Sequence, residues 1–191
     1  DALRLSVNVS TRHFKRGDLA DNISEVLEAT GFPAERLNLE ITETALMTNL
    51  QSASATLIEL NSMGVTFSLD DFGTGYSSLY YLKTLPVQSL KIDKRFISLI
   101  ESQSTDGDIF VKTILSMADN LGLNTVAEGV ETKKQLDILT KLGCKRAQGY
   151  LFSPAVSAEE FERLLSKGRI VPGRDKVTPM EKKPANLFKR K

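Results

Sequence analysis

Short apolar segments with strand-like alternation are followed by amphipathic helical segments six times along this chain, and this pattern limits the fold more than any other feature. The predicted strands are 5–9, 37–42, 65–70, 87–92, 125–127 and 146–148. The predicted helices are 19–30, 49–63, 77–84, 95–102, 107–121, 132–142 and 157–166. Strands that alternate with helices predict an α/β protein with a parallel sheet covered by helices.

Polar residues end every predicted strand, and this favours a closed barrel over an open sheet. They are Asn8, Glu40 and Glu43, Asp70 and Asp71, Lys91 and Asp93, Glu128 and Glu131, and Gln148. In a barrel all strand ends meet at one face, whereas an open doubly wound sheet uses only those near its switch point. We therefore predict a modified TIM-type (β/α)8 barrel. Because eight units need about 250 residues, we expect an incomplete barrel of about six units that lacks the N-terminal two.

One cysteine, Cys144, and one histidine, His13, restrict the chemistry of any site. A single cysteine excludes an internal disulfide and fits a reducing compartment, so we expect a cytoplasmic domain. A zinc site built from histidine and cysteine is also excluded, and a metal would need the oxygen ligands that magnesium, manganese and calcium prefer. No apolar run approaches the roughly 20 residues of a membrane span. The parent protein could still be anchored through upstream segments.

The net charge of +1 conceals an uneven distribution. Residues 166–191 carry nine Lys and Arg but two acids, a net charge of +7, so residues 1–165 carry −6. We interpret 1–165 as the folded domain and 166–191 as a basic, flexible tail. A solvated terminus is favoured over contact with nucleic acid or membrane, and no nucleic acid duplex is expected as a partner.

Four carboxylates at strand ends form the most informative constellation. They belong to Glu40, Asp70, Asp71 and Glu128, with Asn8 adding a neutral oxygen and Lys91 a cation. Four acids that face one pocket repel each other unless cations lie between them. Two divalent ions would resolve this repulsion, and two-metal sites activate water and clamp a phosphoryl group. Lys91 could orient the water or neutralise developing charge.

Each of these residues also has a purely structural interpretation. Asp70 and Asp71 could cap a helix, Asn8 could form a turn, Lys91 and Asp93 could pair, Glu128 and Glu131 could cap the next helix, and Gln148 could satisfy backbone groups. Glu40 could be a surface acid, but it lies in an apolar strand, where burial requires a partner. Taken singly, several of these alternatives stay open.

Six stretches together carry a specific resemblance. They are Ser6-Val7-Asn8-Val9-Ser10, Leu39-Glu40-Ile41-Thr42-Glu43, the run from Asp70-Asp71-Phe72-Gly73 to Ser78-Leu79, Leu90-Lys91-Ile92-Asp93, Ala127-Glu128-Gly129-Val130-Glu131-Thr132 and Gln148-Gly149-Tyr150. In this order the chain resembles the EAL domain, a bacterial cyclic-di-GMP phosphodiesterase of modified barrel fold. The resemblance covers residues 5–165 and implies hydrolysis of cyclic-di-GMP to linear pGpG with two Mg²⁺ or Mn²⁺ ions.

The resemblance also implies roles for individual residues. Asn8, Glu40 and Asp70 resemble ligands of one metal, and Asp70, Asp71 and Glu128 those of the second, with Asp70 bridging. Lys91 resembles the residue that holds the attacking water, and Glu128 has also been cast as a base. Glu43 resembles the anchor of the loop at 71–75, which in this family links the active site to a dimer interface.

Further residues receive supporting roles by the same resemblance. Asp93 and Glu131 are expected close to the ligands without binding a metal, whereas Gln148, Phe152 and Pro154 are expected near the guanine. The implied partners are cyclic-di-GMP, a second copy in a homodimer, and an upstream sensor or GGDEF-type domain.

The Glu-Ala-Leu motif itself is absent, and in this family its glutamate binds the first metal. The arginine that follows the motif in this family and the Gln-Pro of the family's first strand are also absent. This departure keeps a second hypothesis open, in which the chain is a non-hydrolytic cyclic-di-GMP receptor or a regulatory dimerisation module.

Overall fold

A single parallel sheet forms the centre of the computed structural model, which describes residues 3–48, 50–73, 79–101 and 106–168. Its strands are β1 (Leu5–Val9), β2 (Leu37–Thr42), β3 (Thr66–Phe72), β4 (Ser89–Ile92) and β5 (Asn124–Ala127). The helices are α1 (Thr11–Arg16), α2 (Leu19–Thr30), α3 (Glu43–Thr48), α4 (Leu50–Ser62), α5 (Leu79–Thr84), α6 (Lys94–Leu99), α7 (Asp106–Asn120), α8 (Lys133–Lys141) and α9 (Ala158–Ser166). A 3₁₀ turn at Ala34–Arg36 leads into β2.

The strand order supports the barrel prediction. The sheet runs β1-β2-β3-β4-β5, and every neighbouring pair is parallel. An open doubly wound sheet reverses its strand order at a switch point, whereas a (β/α) barrel adds each strand beside the one before it. The observed order contains no reversal, so the arrangement is that of an incomplete barrel.

The two faces of the sheet differ as the sequence alternation predicts. Along β2, Leu37, Leu39 and Ile41 are buried, whereas the residues between them are half-buried. Phe67 of β3 and Leu90 of β4 are fully buried in the same core. Successive side chains of a strand point to opposite faces. The apolar residues therefore pack beneath the helices, and the polar residues of β2 share the opposite face.

The β1 edge is more open than the rest of the sheet. Leu5 and Val7 are 49% and 42% exposed, and a groove of about 640 Å³ runs between β1 and α2. Val7, Ile23 and Val26 contribute to its apolar lining. The edge strand therefore lacks cover on its outer side among the described residues.

Three differences from the sequence prediction concern short elements. Helices α1 and α3 were not predicted, because six residues are too few for a helical period to stand out. The predicted strand at 146–148 is reduced to one bridge between Ala147 and Ala127. The start of the helix predicted at 77–84 and the tail from residue 169 onward lie outside the described residues. Among the described helices, none is long and apolar enough to cross a membrane.

Candidate metal centre

The register of the sheet brings the predicted polar residues to one end. Asn8 of β1 lies beside Glu40 of β2, and Thr42 lies beside Asp70 of β3. Lys91 belongs to β4, and Glu128 follows β5 directly, where its N–H donates to the Ile92 carbonyl at 3.1 Å. Because all five strands are parallel, these positions share the carboxyl edge of the sheet, as predicted.

Lys91 lies at the centre of this edge. Its Nζ is 2.6 Å from Glu40 Oε2, 2.7 Å from Glu128 Oε1 and 3.2 Å from Asp70 Oδ1. The lysine side chain is 5% exposed, and the three carboxylates are 13–16% exposed. The alternative interpretation, a salt bridge between Lys91 and Asp93, is wrong, because Asp93 Oδ1 forms its salt bridge with Arg95 Nε at 3.0 Å. One buried cation therefore holds three acids from three strands together.

The local electrostatics follow from this geometry. Burial acts to lower the pKa of Lys91, but its hydrogen bonds to Glu128 and Glu40 outweigh burial and raise that pKa above its ordinary value. For Glu128, burial is the largest effect and raises the pKa, Lys91 acts to lower it, and the charges of Asp70 and Glu40 raise it further, so that the pKa is raised overall. Lys91 therefore stays protonated, whereas Glu128 holds a proton more readily than an exposed glutamate does.

Asp71 joins this group through an irregular backbone. Neighbouring residues of a regular strand point to opposite faces, which would separate Asp70 from Asp71. Instead, the β3–β4 register shifts between Leu69 and Phe72, and Asp71 has φ 54°. Left-handed backbone is strained for a non-glycine residue. The result is that carboxylate oxygens of Asp70, Asp71 and Glu128 lie within 4.8 Å of one another.

Asp93 supports Asp71 from the start of α6. One Asp93 oxygen, Oδ1, accepts from the Arg95 N–H at 2.7 Å and from Arg95 Nε at 3.0 Å. Burial, a hydrogen bond to Asp93 and the charge of Asp70 raise the pKa of Asp71. For Asp93, burial is outweighed by the hydrogen bonds from Arg95 and Asp71, so its pKa is lowered. Arg95 was not singled out in the sequence, although its position two residues after Asp93 is a common capping arrangement.

Gln148 contacts the same site from the segment after α8. Its Nε2 donates to Glu128 Oε1 at 2.5 Å, and its backbone N–H donates to the Ala127 carbonyl at 2.8 Å. The structural interpretation of Gln148 as a partner for backbone groups therefore misses its side-chain contact with a predicted metal ligand.

Glu43 is the first residue of α3, next to the carboxyl end of β2. It is 3% exposed, and neither carboxylate oxygen has a hydrogen-bond partner among the described residues. A buried, unpartnered carboxylate is costly. Of the loop at 71–75 that Glu43 is predicted to anchor, residues 74 and 75 lie outside the described residues.

The remaining predicted residues are Asn8, Glu131, Phe152 and Pro154. Asn8 and Glu131 are exposed, and Thr132, rather than Glu131 or Glu128, caps α8 by accepting from the Gln135 N–H. Phe152 is half-buried against the hydrophobic core, and Pro154 is half-buried two residues later.

Gly73 ends the acidic turn in close contact with α6. Its φ is 92°, and a Cβ there would lie 2.7 Å from the Phe96 ring. Phe96 in turn packs on Phe110 of α7 with ring centroids 5.8 Å apart. Sequence reasoning did not identify this packing, because the partners lie on separate elements.

The donor set fits hard divalent cations. Carboxylate oxygens dominate it, and no histidine or cysteine joins the described cluster around Asp70, Asp71 and Glu128. Magnesium and manganese prefer such ligands. The cluster provides three ligands, and Glu40 contacts the same Lys91 ammonium as Asp70 and Glu128, so the residues present can hold divalent metal.

Comparison with known proteins agrees with the resemblance found in the sequence. The family model described as the EAL domain matches residues 1–155. Cyclic di-GMP phosphodiesterase NbdA of Pseudomonas aeruginosa is 45% identical over 166 residues, which are 85% of this chain and 21% of NbdA. The bifunctional diguanylate cyclase/cyclic di-GMP phosphodiesterase MucR of the same organism is 42% identical, over 82% of this chain and 23% of MucR.

Solved structures show the same fold. The complex of the PaMucR phosphodiesterase with c-di-GMP matches with a TM-score of 0.79 and 40% identity, over 83% of this chain and 64% of that one. A manganese/cy-diGMP complex of Klebsiella pneumoniae BlrP1 matches with a TM-score of 0.72 and 29% identity, over 78% of this chain and 38% of that one.

The chain spans about a fifth of the length of the two curated relatives described above. The family match nevertheless covers most of the chain, and it includes every strand of the sheet and each residue of the carboxylate cluster. This chain belongs to the EAL domain family.

Proposed function

We propose that this chain forms the larger part of a domain that hydrolyses one phosphodiester bond of cyclic-di-GMP to give linear pGpG. The observation that carries the proposal is the convergence of Glu40, Asp70, Asp71 and Glu128 around one edge of the sheet. The complexes of PaMucR and BlrP1 with the dinucleotide support the choice of substrate.

We assign two sets of metal ligands on this edge. Asn8, Glu40 and Asp70 would hold one Mg²⁺ or Mn²⁺ ion, and Asp70, Asp71 and Glu128 the second, with Asp70 shared. Two ions bound there would supply electrostatic stabilisation of the phosphoryl group and activation of water. The register pairs of β1 with β2 and β2 with β3 support the first set, and the close carboxylates support the second.

Lys91 and Glu128 would act on the attacking water and on the negative charge that develops during hydrolysis. Lys91 stays protonated, so it can donate hydrogen bonds to the attacking water and stabilise negative charge, but it cannot serve as the base. Glu128 would serve as the base: without bound metal, burial and the charges of Asp70 and Glu40 raise its pKa, so it accepts a proton more readily than an exposed glutamate does.

Glu43 would anchor the loop that follows Asp71. Its buried carboxylate has no partner among the described residues, although folded proteins satisfy nearly all such groups. We assign its partners to the loop at 71–75. Because Asp71 of this loop is assigned as a ligand of the second metal, Glu43 would stabilise that ligand without binding the metal itself.

The proposal includes contacts beyond the metal ligands. Gln148, Phe152 and Pro154 would face a guanine, while Asp93 and Glu131 would support the ligands. A homodimer is also proposed, and the exposed apolar side chains of Leu99, Ile109 and Phe110 on α6 and α7 support it. The name of MucR, a bifunctional diguanylate cyclase/phosphodiesterase, supports an upstream GGDEF-type or sensor domain.

The decisive experiment compares this chain with a longer protein that also carries upstream residues containing a Glu-Ala-Leu segment. Both are incubated with cyclic-di-GMP and Mg²⁺, and pGpG is quantified by liquid chromatography. We expect pGpG from the longer protein and little from the chain alone, because the first metal lacks one ligand in the shorter chain. A longer protein that makes no pGpG would refute the enzymatic proposal.

A second candidate is a receptor or regulatory dimerisation module that does not hydrolyse its ligand. The Glu-Ala-Leu motif, whose glutamate binds the first metal in this family, does not occur in residues 1–191. Isothermal titration calorimetry separates the two: cyclic-di-GMP binding by the longer protein without pGpG formation would support the receptor.

A further inference from the structure

We propose that Gln148 is a positioning residue, which fixes the carboxylate of Glu128 for its metal. This inference rests on the proposed function, because Glu128 is there assigned as a ligand of the second ion. It gives Gln148 a role in metal binding that is separate from the guanine contact proposed above.

The contact that carries the inference is direct. Gln148 Nε2 donates to Glu128 Oε1 at 2.5 Å, and Lys91 Nζ lies 2.7 Å from the same oxygen. Two donors therefore hold Oε1, and Oε2 accepts no hydrogen bond from the described residues. Fixing one oxygen limits rotation of the carboxylate, so that the group keeps a constant orientation toward Asp70 and Asp71, with which it shares the cluster of carboxylate oxygens within 4.8 Å.

The backbone around Gln148 is itself rigidly attached to the end of β5. The Ala127 N–H donates to the Arg146 carbonyl at 2.9 Å, and the Gln148 N–H donates back to Ala127 at 2.8 Å. The Val130 N–H then donates to the Gln148 carbonyl at 3.0 Å. These bonds lie on both sides of Glu128 in the sequence, so the donor and the acceptor side chains are held in one frame.

Gly149 shows how closely the two segments approach. A Cβ at this position would lie 2.3 Å from the backbone N and O of Val130, at a φ of 154°. Only glycine allows this approach, which places the Gln148 amide within reach of Glu128. The amide oxygen of Gln148 takes no part in the bond to Glu128, so a contact with substrate and the positioning role are compatible.

Residues that orient a metal ligand typically change metal affinity by about 10–100-fold when mutated. For Gln148→Met, which keeps the side-chain length but removes the donor, we expect a loss of Mn²⁺ affinity in this range. Gln148→Leu serves as a second variant. Gln51→Met, at an exposed glutamine of α4, is the matched control and should bind Mn²⁺ like the wild type.

The test measures Mn²⁺ binding by electron paramagnetic resonance in the absence of substrate, with near-ultraviolet circular dichroism as the check on folding. A double-mutant cycle with Glu128→Gln decides whether Gln148 acts through Glu128. If it does, adding Gln148→Met to Glu128→Gln causes no further loss of affinity, so the two effects are not additive.

The possible failures are distinguishable. Unchanged Mn²⁺ affinity in both Gln148 variants, with normal binding by the wild type, would overturn the positioning role and leave the proposed function in place. Fully additive losses in the cycle would overturn the action through Glu128. A wild-type protein that binds no Mn²⁺ would overturn the metal assignment in the proposed function, and the positioning role with it.

Discussion

Replacing Lys91 with methionine removes the ammonium group but preserves most of the side-chain volume. In the wild type, Nζ lies within 3.2 Å of Glu40, Asp70 and Glu128, and all four side chains are largely buried. The variant therefore leaves three neighbouring carboxylates without the cation that holds them. We expect a large loss of stability in metal-free buffer.

The size of this loss can be bounded in two ways. Removing one partner of a buried ion pair typically costs about 3–5 kcal/mol. The cost is also limited by protonation, because placing a proton on one glutamate of ordinary pKa at pH 7 requires about 3.7 kcal/mol. We therefore expect the free energy of unfolding to fall by about 3–4 kcal/mol at pH 7, a large part of the roughly 5–15 kcal/mol of a typical domain.

Acidification should shrink the loss. In Lys91→Met a carboxylate of the folded state has a raised pKa, so its proton stabilises the fold at low pH, and this contribution disappears as the pH rises through the folded-state pKa. At pH 5 the cost of adding that proton is about 1 kcal/mol. Lys91→Met should therefore differ from the wild type by about 1 kcal/mol at pH 5.

Urea unfolding followed by circular dichroism measures these differences, with EDTA in the buffer at pH 7 and pH 5. A parallel series with Mn²⁺ should recover part of the lost stability, since the ion restores positive charge. Lys94→Met, at an exposed lysine of α6, is the control and should change little. A loss below about 1 kcal/mol at pH 7, or an equal loss at both pH values, would refute the assignment of Lys91 as the buried counter-charge.

Four further predictions address the same edge of the sheet. Asp70→Asn in the longer protein should abolish pGpG formation, because it removes the shared charge; full activity would contradict the two-metal assignment. Glu43→Ala should lower both turnover and Mn²⁺ affinity while circular dichroism stays unchanged, and a normal rate would exclude the loop-anchoring role. Because burial raises the pKa of Glu128, protons should compete with Mn²⁺ at pH values above the ordinary glutamate pKa of about 4.3. Calorimetry across pH would detect the resulting fall in Mn²⁺ affinity. A Mn²⁺ affinity that falls only below that pH would contradict this prediction. Gly73→Ala should lower the free energy of unfolding by about 1–2 kcal/mol, since its backbone is left-handed and a Cβ would contact Phe96; an unchanged urea midpoint would contradict this strain.

The arrangement of the sheet was largely predictable from the sequence. Strands β1 and β2 begin and end at the predicted residues, because their apolar residues alternate and polar residues follow them. The helices between the strands predicted that the strands run parallel. Parallel strands in turn predicted that Asn8, Glu40 and Lys91 lie at the same edge of the sheet. The local pattern and the fold agree here, which makes such elements predictable.

The partners of individual side chains were less predictable. Lys91 was open to pairing with Asp93, two residues away, but its partners come from positions 40, 70 and 128 of the chain. Gln148 was interpreted without reference to Glu128, because a bridge of one residue leaves almost no periodic signal. Contacts between distant segments depend on packing, and no local pattern encodes them.

The sequence by itself determined the longer helices and the five strands of the sheet, that the strands run parallel, and that oxygen-rich side chains gather at one edge, because hydrophobic periodicity and residue type act locally. Only the tertiary structure decided that Asp71 turns toward Asp70, because a register shift and a left-handed φ override the alternation of a regular strand. It also decided that Lys91 pairs with three acids from other strands, since burial and distance, rather than order in the chain, set the strength of charge pairing.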